Sequence, residues 1–325
     1  MEICENKGKP FLTYEQQIEK LVDEKKLIIN DVSTAIKLLK EHSYYALISG
    51  YKQPFKGTDG LYKKNTKIED ILALYNFDDL LRSIILRNIL MVEKHIKSLI
   101  AYSFCEVNGD NQNHYLDATK YNYIPKNQND INEFVSRLSA IVADPRDYKY
   151  ILYQKKTYGN IPLWVMMKAL TLGTVSKMYS FLPQGIQSKV SMEFAYVNES
   201  ELINMLDLLS RVRNVCAHNE RLFDYRYNKG SINDTYTHTY LSIKIKKGQY
   251  AYGKSDLFAV LIILKHLLIE QTFKDMIEEI DGCLNDLFKG TRQVQRFQVY
   301  KYMGFPENWY DIKTSPLAEV KNDNK

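Results

Sequence analysis

Glycine and proline are scarce in this sequence, and their scarcity indicates a helical protein. Of 325 residues, 14 are Gly and 8 are Pro, well below ordinary usage of roughly 7% and 5%. A turn-rich β-protein would need more of these residues. With 45% hydrophobic and 26% charged residues, the composition is that of a globular protein, which excludes a disordered or collagen-like chain.

Cysteine is also rare, which limits the covalent and metal chemistry to be expected. The four cysteines, Cys4, Cys105, Cys216 and Cys283, are far apart and form no C-x-x-C pair. We therefore expect neither a disulfide framework nor a zinc site. No other residue pattern predicts a metal ion or a cofactor. Cys216 falls on the apolar side of a predicted helix, so we interpret it as a core residue and not as a nucleophile.

Long hydrophobic runs are absent as well. The strongest run, from Leu257 to Leu264, is closed by Asp256 and Lys265. It is too short to cross a bilayer and predicts a buried helix. The first residues are acidic where a secretion signal would be basic. We therefore expect a soluble, cytoplasmic protein that does not associate with membranes.

The charge balance is mildly basic. The net charge is +5 and the isoelectric point is about 8.7, just below the value of about 9 that is typical of nucleic-acid-binding domains. Residues 287–306 contain no acid, but they contain four cations and three interleaved aromatic residues: Lys289, Arg292, Arg296, Lys301, Phe297, Tyr300 and Tyr302. Such a segment could contact phosphates and stack on bases. An ordinary solvated surface explains it equally well.

Apolar residues recur at helical spacing along most of the chain, which predicts an all-α fold. The longest pattern runs from Ile68 to about residue 107, as one helix or as two with a break near 76–79. Alternating Thr, Tyr, Ile and Lys around Gly248 predict a small β-hairpin near 236–252. Further helical stretches are predicted at about 13–24, 131–143, 147–157, 161–182, 185–195, 199–218 and 255–288.

These patterns predict three parts along the chain. Residues 1–60 form an N-terminal helical segment, and residues 61–290 form a helical domain that contains the hairpin. Residues 291–325 form a basic C-terminal segment and tail. Among the histidines, we expect His95 to be a packed or rim residue of the long helix and His266 to be structural. We expect His238, like His42 and His114, to lie on the surface.

The segment 211–223, R-V-R-N-V-C-A-H-N-E-R-L-F, carries the most chemistry. It ends a predicted helix with the inward face Leu202, Met205, Leu206, Leu209, Val212 and Cys216. Asn214 and His218 are four residues apart and share one face of that helix. Arg213 lies about 140° around the axis from His218. Only its long side chain, or a loosened last turn, would let it reach the histidine.

Three interpretations of this segment stay open on the residues alone. It could be a capped helix end, because cations stabilise a helix C-terminus by roughly 0.3–1 kcal/mol. It could bind phosphate, because Arg211, Arg213, Arg221 and Arg226 lie close together and guanidinium groups suit phosphate oxygens. It could also be a ribonuclease site, because a histidine near its pKa of about 6.5 moves protons and an arginine stabilises charge on phosphorus. Chance alone predicts about 0.2 Arg-x4-His matches here, so the spacing does not decide.

The segment Arg213–His218, continued by N-E-R-L-F, resembles the signature of Abi-like proteins of the AbiD/AbiF abortive-infection group. These belong to the HEPN superfamily, whose hallmark is R-x4–6-H. Other blocks agree in the same order at 9–18, 44–51, 74–82 and 162–176, so the similarity spans about residues 9–223. One departure follows His218, where Asn219 and Glu220 replace the second His or small residue of many relatives.

The resemblance implies a HEPN-like helical bundle with additional N-terminal helices. It also implies a metal-independent endoribonuclease, used as a toxin-like antiphage effector, that leaves 2′,3′-cyclic phosphate and 5′-hydroxyl ends. His218 would be the acid/base, Arg213 would stabilise the phosphate, and Asn214 would be the polar residue that follows it. Because the chain has one such motif, a working site would need a homodimer.

RNA is the expected partner, as substrate and as a structured regulatory RNA. The cations predicted to contact it are Arg211, Arg221, Arg226, Lys244, Lys246, Lys247, Arg292 and Arg296. Two alternatives are a non-catalytic RNA-binding module and a protein-interaction scaffold, each within a defence or toxin–antitoxin system.

Overall fold

The computed structural model describes residues 10–319, and within them the fold is almost entirely helical. The α-helices are α1 Tyr14–Glu19, α2 Val32–His42, α3 Ile68–Asn108, α4 Gln112–Tyr115, α5 Gln128–Ala143, α6 Lys149–Tyr158, α7 Leu163–Met166, α8 Leu172–Phe181, α9 Gln184–Ser191, α10 Glu199–Ala217, α11 Tyr236–Tyr240, α12 Leu257–Leu267, α13 Glu270–Gly290 and α14 Arg296–Met303. Strands β1 Ile245–Lys246 and β2 Gln249–Tyr250 pair antiparallel. The prediction of an all-α fold with one small β-hairpin is confirmed. Cys4 lies outside the described residues.

The longest helix is continuous. α3 contains 41 residues, so the break considered near 76–79 does not occur. Two other predicted stretches are interrupted. The stretch 161–182 divides into α7, a 3-10 turn at Met167–Ala169 and α8. The stretch 255–288 divides into α12 and α13 at Leu268, whose backbone is extended.

The chain divides into two compact units. The first unit contains Met1–Leu81 and Asp281–Val299, and the second contains Arg82–Ile280 and Tyr300–Lys325. α3 and α13 each contribute residues to both. The division at residues 60 and 290 rests on the sequence pattern alone and stays a prediction.

The first unit begins with a short, capped helix. Thr13 accepts a hydrogen bond from the Gln16 N–H, and the Gln16 side chain accepts one from the Thr13 N–H, which forms the predicted capping box at α1. Two π-helical stretches, Lys20–Glu24 and Tyr44–Ser49, follow α1 and α2. The Tyr51 hydroxyl donates to the buried Asp78 carboxylate at 2.6 Å, which ties the second stretch to the first turns of α3.

The core of the second unit surrounds α10 and α12. α10 packs mainly on α8 and also on α9 and α12. Every residue from Leu257 to Leu264 is buried, as expected for a core helix rather than a membrane span. No helix among the described residues has the length and apolar character needed to cross a bilayer.

The segment before the hairpin differs from the prediction. Residues 236–240 form α11 and not a strand. His238 is fully buried, so its predicted surface position was wrong. Its ring stacks on Tyr250 with centroids 4.7 Å apart, and its Nε2 lies 3.0 Å from the Gly253 carbonyl oxygen. His238 therefore holds the hairpin against the core. His266, by contrast, is buried as predicted.

Candidate active site at the end of helix α10

The helix that carries the motif is fixed at its start by a capping box. Asn198 accepts from the Glu201 N–H at 3.0 Å, and the Glu201 carboxylate accepts from the Asn198 N–H at 2.9 Å. This pair satisfies two of the amides that a helix leaves open at its N-terminus. The start of α10 is therefore set locally, and 19 residues later the helix reaches His218.

The two faces of α10 have opposite character. Its inward face is buried and contains Leu202, Met205, Leu206, Leu208, Leu209, Val212, Val215 and Cys216. Its outward stripe is polar and contains Asp207, Arg211, Asn214 and His218, which recur at helical spacing. Ser210, beside this stripe, is buried. Asn214 and His218 are both exposed. Burial of the apolar face thus determines which way the motif points.

The end of α10 is a Schellman motif. The Glu220 N–H donates to the Val215 carbonyl at 3.0 Å, and the Asn219 N–H donates to the Cys216 carbonyl at 3.3 Å. Asn219 adopts a left-handed conformation, with φ of 55°. After glycine, asparagine is the residue most often found in this conformation at helix ends. Asn219, the residue that departs from the family pattern, therefore ends the helix and sets the position of His218.

The chain after this turn is anchored in the core. Leu222 and Phe223 are buried, and the Phe223 ring meets Tyr302 edge to face with centroids 5.7 Å apart. Anchoring on both sides of the turn keeps the exposed His218 on a fixed backbone.

Arg213 is the cation of this segment with the fewest internal partners. Its Nη1 lies 3.5 Å from the Asn214 side-chain oxygen, at the limit of a hydrogen bond. Its Nε is buried and has no hydrogen-bond partner within residues 10–319. The contact with Asn214 brings the guanidinium toward the face that Asn214 shares with His218. An anionic ligand that reaches this N–H group would satisfy it.

The neighbouring Arg211 is already paired. Its guanidinium binds the Asp207 carboxylate one turn earlier, at 3.1 and 3.2 Å. The Tyr227 hydroxyl donates to the same carboxylate at 2.5 Å, and the Tyr227 ring lies 5.7 Å from the Arg211 guanidinium carbon. Arg211 therefore ties the segment after α10 back to the helix.

Arg221 and Arg226 also have partners within the chain. Arg221 binds the Asp224 carboxylate at 2.6 Å and lies over the Phe223 ring at 5.9 Å. Arg226 donates to the main-chain carbonyls of Tyr225 and Lys301, at 2.8 and 3.2 Å. Both arginines are exposed enough to meet RNA as well, so their predicted RNA contacts stay predictions.

The remaining predicted RNA contacts belong to other segments of the chain. Lys244, Lys246 and Lys247 are exposed on and beside the hairpin. Arg292 and Arg296 are exposed and belong to the first unit. Arg296 stacks on the Phe288 ring at 4.6 Å and donates to the Asn285 side chain at 2.9 Å.

A cavity of about 290 Å³ lies beside the polar stripe of α10. Its wall is formed by α5, by the start of α8 and by α10, through Asp130, Glu133, Phe134, Arg137, Thr171, Gly173, Thr174, Lys177, Asp207, Ser210, Arg211 and Asn214. Asn214 thus belongs both to the motif and to the cavity. Most of its charged groups are paired, since Glu133 binds Arg137 and Asp207 binds Arg211.

Sequence reasoning missed the walls of this cavity. Lys177 and Asp130 are exposed and make no ion pair among the residues described, which leaves one cation and one acid open to a ligand. They precede Asn214 by 37 and 84 residues, and no spacing rule connects residues that far apart. Asn219, in contrast, had a signal, because an Asn directly after a predicted helix end favours the left-handed stop.

No group of three or more His, Cys, Asp or Glu side chains within the described residues is arranged to hold a metal ion.

Comparison with known proteins places the motif in a family. The family model for Abi-like protein matches residues 37–224, more than half of the chain, and this match includes Arg213, Asn214 and His218. No curated protein and no solved structure is significantly similar to the chain. The chain belongs to the Abi-like protein family, whose name refers to abortive infection.

Proposed function

We propose that this protein is a metal-independent endoribonuclease that acts as an abortive-infection effector. The observation that carries the proposal is the arrangement at the end of α10. An exposed His218 follows one turn after an exposed Asn214, and Asn214 is in contact with the Arg213 guanidinium. The buried Nε of Arg213 has no partner among the described residues. A phosphate bound there would satisfy it.

The proposed chemistry uses the RNA's own 2′-hydroxyl as the nucleophile. His218 takes the 2′-hydroxyl proton as the 2′-oxygen bonds to phosphorus, and the protonated imidazole gives a proton to the 5′-oxygen as the bond from phosphorus to that oxygen breaks. Arg213 stabilises the charge that develops on the phosphorus oxygens. The products carry a 2′,3′-cyclic phosphate and a 5′-hydroxyl. DNA has no 2′-hydroxyl and would not be cleaved.

The cavity beside Asn214 supplies room for part of the substrate. Its volume of about 290 Å³ lies just below the range of about 300–1,000 Å³ for small-ligand sites. In this proposal it takes a nucleotide next to the scissile phosphate, and Lys177 contacts a flanking phosphate. Lys177→Ala should then raise KM more than it lowers kcat, because it removes binding that is equal in the ground and transition states.

One chain supplies one motif, so the proposal includes a homodimer with two copies of the α10 end across a two-fold axis. Light scattering on the purified protein measures the oligomeric state. A strictly monomeric protein that cleaves RNA at full rate would exclude the shared site while leaving the roles of Arg213 and His218 in place.

RNA end-mapping with and without EDTA tests the activity. Cleavage should persist in EDTA, and Arg213→Ala and His218→Ala should each lower its rate by about 10²–10⁴-fold without loss of folding. Arg146→Ala is the matched control. Arg146 is an exposed arginine that pairs with Asp144, and it is 67 residues before Arg213 in the sequence. A strict magnesium requirement, or wild-type rates in either motif variant, would refute the assigned mechanism.

The second candidate is an RNA-binding module without catalysis, which the exposed lysines of the hairpin favour. It predicts that His218→Ala leaves RNA affinity and growth arrest unchanged, while loss of hairpin lysines weakens binding and lowers its salt dependence. A protein scaffold, in contrast, would bind no RNA at 0.15 M salt and would purify with the A260/A280 ratio of protein alone.

A further inference from the structure

A second and larger cavity lies near the start of α10, in the same unit. Its volume is about 580 Å³, and it is walled by residues 193–195, by the end of α12, by the start of α13 and by residues 313–317. α10 has 19 residues and is therefore about 28 Å long, so this cavity is separate from the Arg213–His218 site. Its size falls within the range of small-molecule sites.

One wall of the cavity contains a buried histidine with an unused nitrogen. His266 is 6% exposed. Its Nδ1 lies 3.4 Å from the Ala195 carbonyl oxygen and must donate to it, because a carbonyl can only accept. In that neutral tautomer Nε2 is an acceptor. Nε2 is buried, and among residues 10–319 it has no hydrogen-bond partner. A ligand that offers a proton there would satisfy it.

A cation lies directly beside that histidine. Lys265 also lines the cavity, and its ammonium donates to the Ile312 carbonyl at 2.7 Å. It makes no ion pair with any described carboxylate, whereas Lys274, which also lines the cavity, binds Glu270 at 2.6 Å. Burial lowers the pKa of Lys265 to about 8, so it is still mainly charged at pH 7. The ammonium also lies 5.1 Å from the centre of the Phe273 ring, and it has two N–H donors besides the one that the Ile312 carbonyl accepts.

The start of α13 adds further donors. The first intrahelical bond of α13 runs from the Phe273 N–H to the Ile269 carbonyl, so the preceding amides at 270–272 have no partner in the helix. Ile269 stands at the capping position and has no side-chain oxygen to accept from them. Helix N-termini with open amides favour anions. The wall also contains the apolar residues Phe194 and Phe273, together with polar and charged side chains: His95, Glu193, Glu270, Lys274, Lys313, Thr314 and Ser315.

We infer that this cavity binds a small phosphate monoester that carries an apolar or aromatic body. The phosphate oxygens contact the Lys265 ammonium and the open amides of α13, and a phosphate O–H donates to His266 Nε2. A monoester fits because its second pKa of about 6 leaves a fraction of it protonated near neutral pH. Carboxylates and sulfonates hold none at that pH. The apolar body packs on Phe194 and Phe273.

Calorimetric titration of the full chain with phenyl phosphate tests this inference. We expect saturable binding of one molecule per chain. Phenol lacks the anionic group, inorganic phosphate lacks the apolar body, and benzenesulfonate lacks the proton. Each of these compounds should therefore bind at least tenfold more weakly than phenyl phosphate. Equal binding of any one of these three would overturn the assigned ligand class.

The location is tested separately. Lys265→Met should weaken phenyl phosphate binding at least tenfold, whereas Lys126→Met, an exposed lysine outside the cavity, should leave it unchanged. Phenyl phosphate should also protect Lys265 of the wild-type protein from acetylation by acetic anhydride, as read by mass spectrometry. This measurement does not depend on how the variant folds. Binding without protection of Lys265 would place the ligand elsewhere, for example at Arg213, and would overturn the inference.

Discussion

Asp256 should make the stability of this protein depend on pH in the opposite direction to an ordinary surface acid. Its side chain caps α12 and accepts from the Ala259 N–H at 3.1 Å and the Gly253 N–H at 3.0 Å. These bonds and the nearby Arg226 guanidinium favour the anion. Burial outweighs them, because Asp256 is only 6% exposed, and raises the pKa to about 6.

The magnitude follows from linkage. A folded-state pKa of about 6 against 3.8 for the unfolded chain means that the folded state binds the proton more tightly. The stability contributed by this proton is complete below about pH 4 and is lost as the pH rises through 6. At 1.36 kcal/mol per pKa unit, the loss is about 3 kcal/mol. Asp256→Asn keeps a capping oxygen but cannot ionise, so it should escape this loss.

Urea unfolding of both proteins between pH 4.5 and 7.5 measures the effect. The free energy of unfolding of Asp256→Asn relative to wild type should rise with pH, by about 2 kcal/mol over this range. Asp31→Asn is the matched control, because Asp31 also caps a helix but is exposed, and hydrogen bonds from Thr34 and Ser33 lower its pKa to about 2. The difference in the free energy of unfolding between Asp31→Asn and wild type should not change with pH above pH 5. If the difference in the free energy of unfolding between Asp256→Asn and wild type does not change with pH, the argument that burial raises the pKa of Asp256 is refuted.

Substitutions at three further positions test the local geometry. Asn219→Gly should keep the free energy of unfolding of wild type within about 0.5 kcal/mol. Asn219→Val should lower it by about 1–2 kcal/mol, because β-branched residues avoid the left-handed conformation. Equal chemical denaturation midpoints for the two variants would contradict the role of Asn219 in ending the helix. Gly304→Ala should lose about 3 kcal/mol or more, since φ is +75° and the added methyl would lie 2.3 Å from the Asp256 carboxyl carbon; a variant with unchanged Tm would show that this contact is not tight. His238→Ala should lose about 2–4 kcal/mol and release the hairpin, which hydrogen exchange at residues 245–250 would detect; a loss below 0.5 kcal/mol would speak against the anchoring role.

The helix breaks show where local sequence information ends. No Gly or Pro occurs between Leu257 and Asp281, so nothing local predicted the extended Leu268 between α12 and α13. The break lets α12 lie buried on all sides while α13 keeps a polar face. His238 was misplaced for a similar reason, because a polar neighbourhood in sequence does not reveal a ring that stacks on Tyr250 twelve residues later.

The sequence by itself determined the helical class, the capping boxes at Thr13 and Asn198, and the motif segment, because these depend on residue type and on spacings of three to five. Only the tertiary structure decided which arginine is left with few internal partners. Arg211, Arg221 and Arg226 look equivalent to Arg213 in the sequence. They differ in the folded chain because Asp207, Asp224 and two main-chain carbonyls meet them there. Both cavities likewise exist only because distant helices pack together, and packing over such separations leaves no periodic signal along the chain.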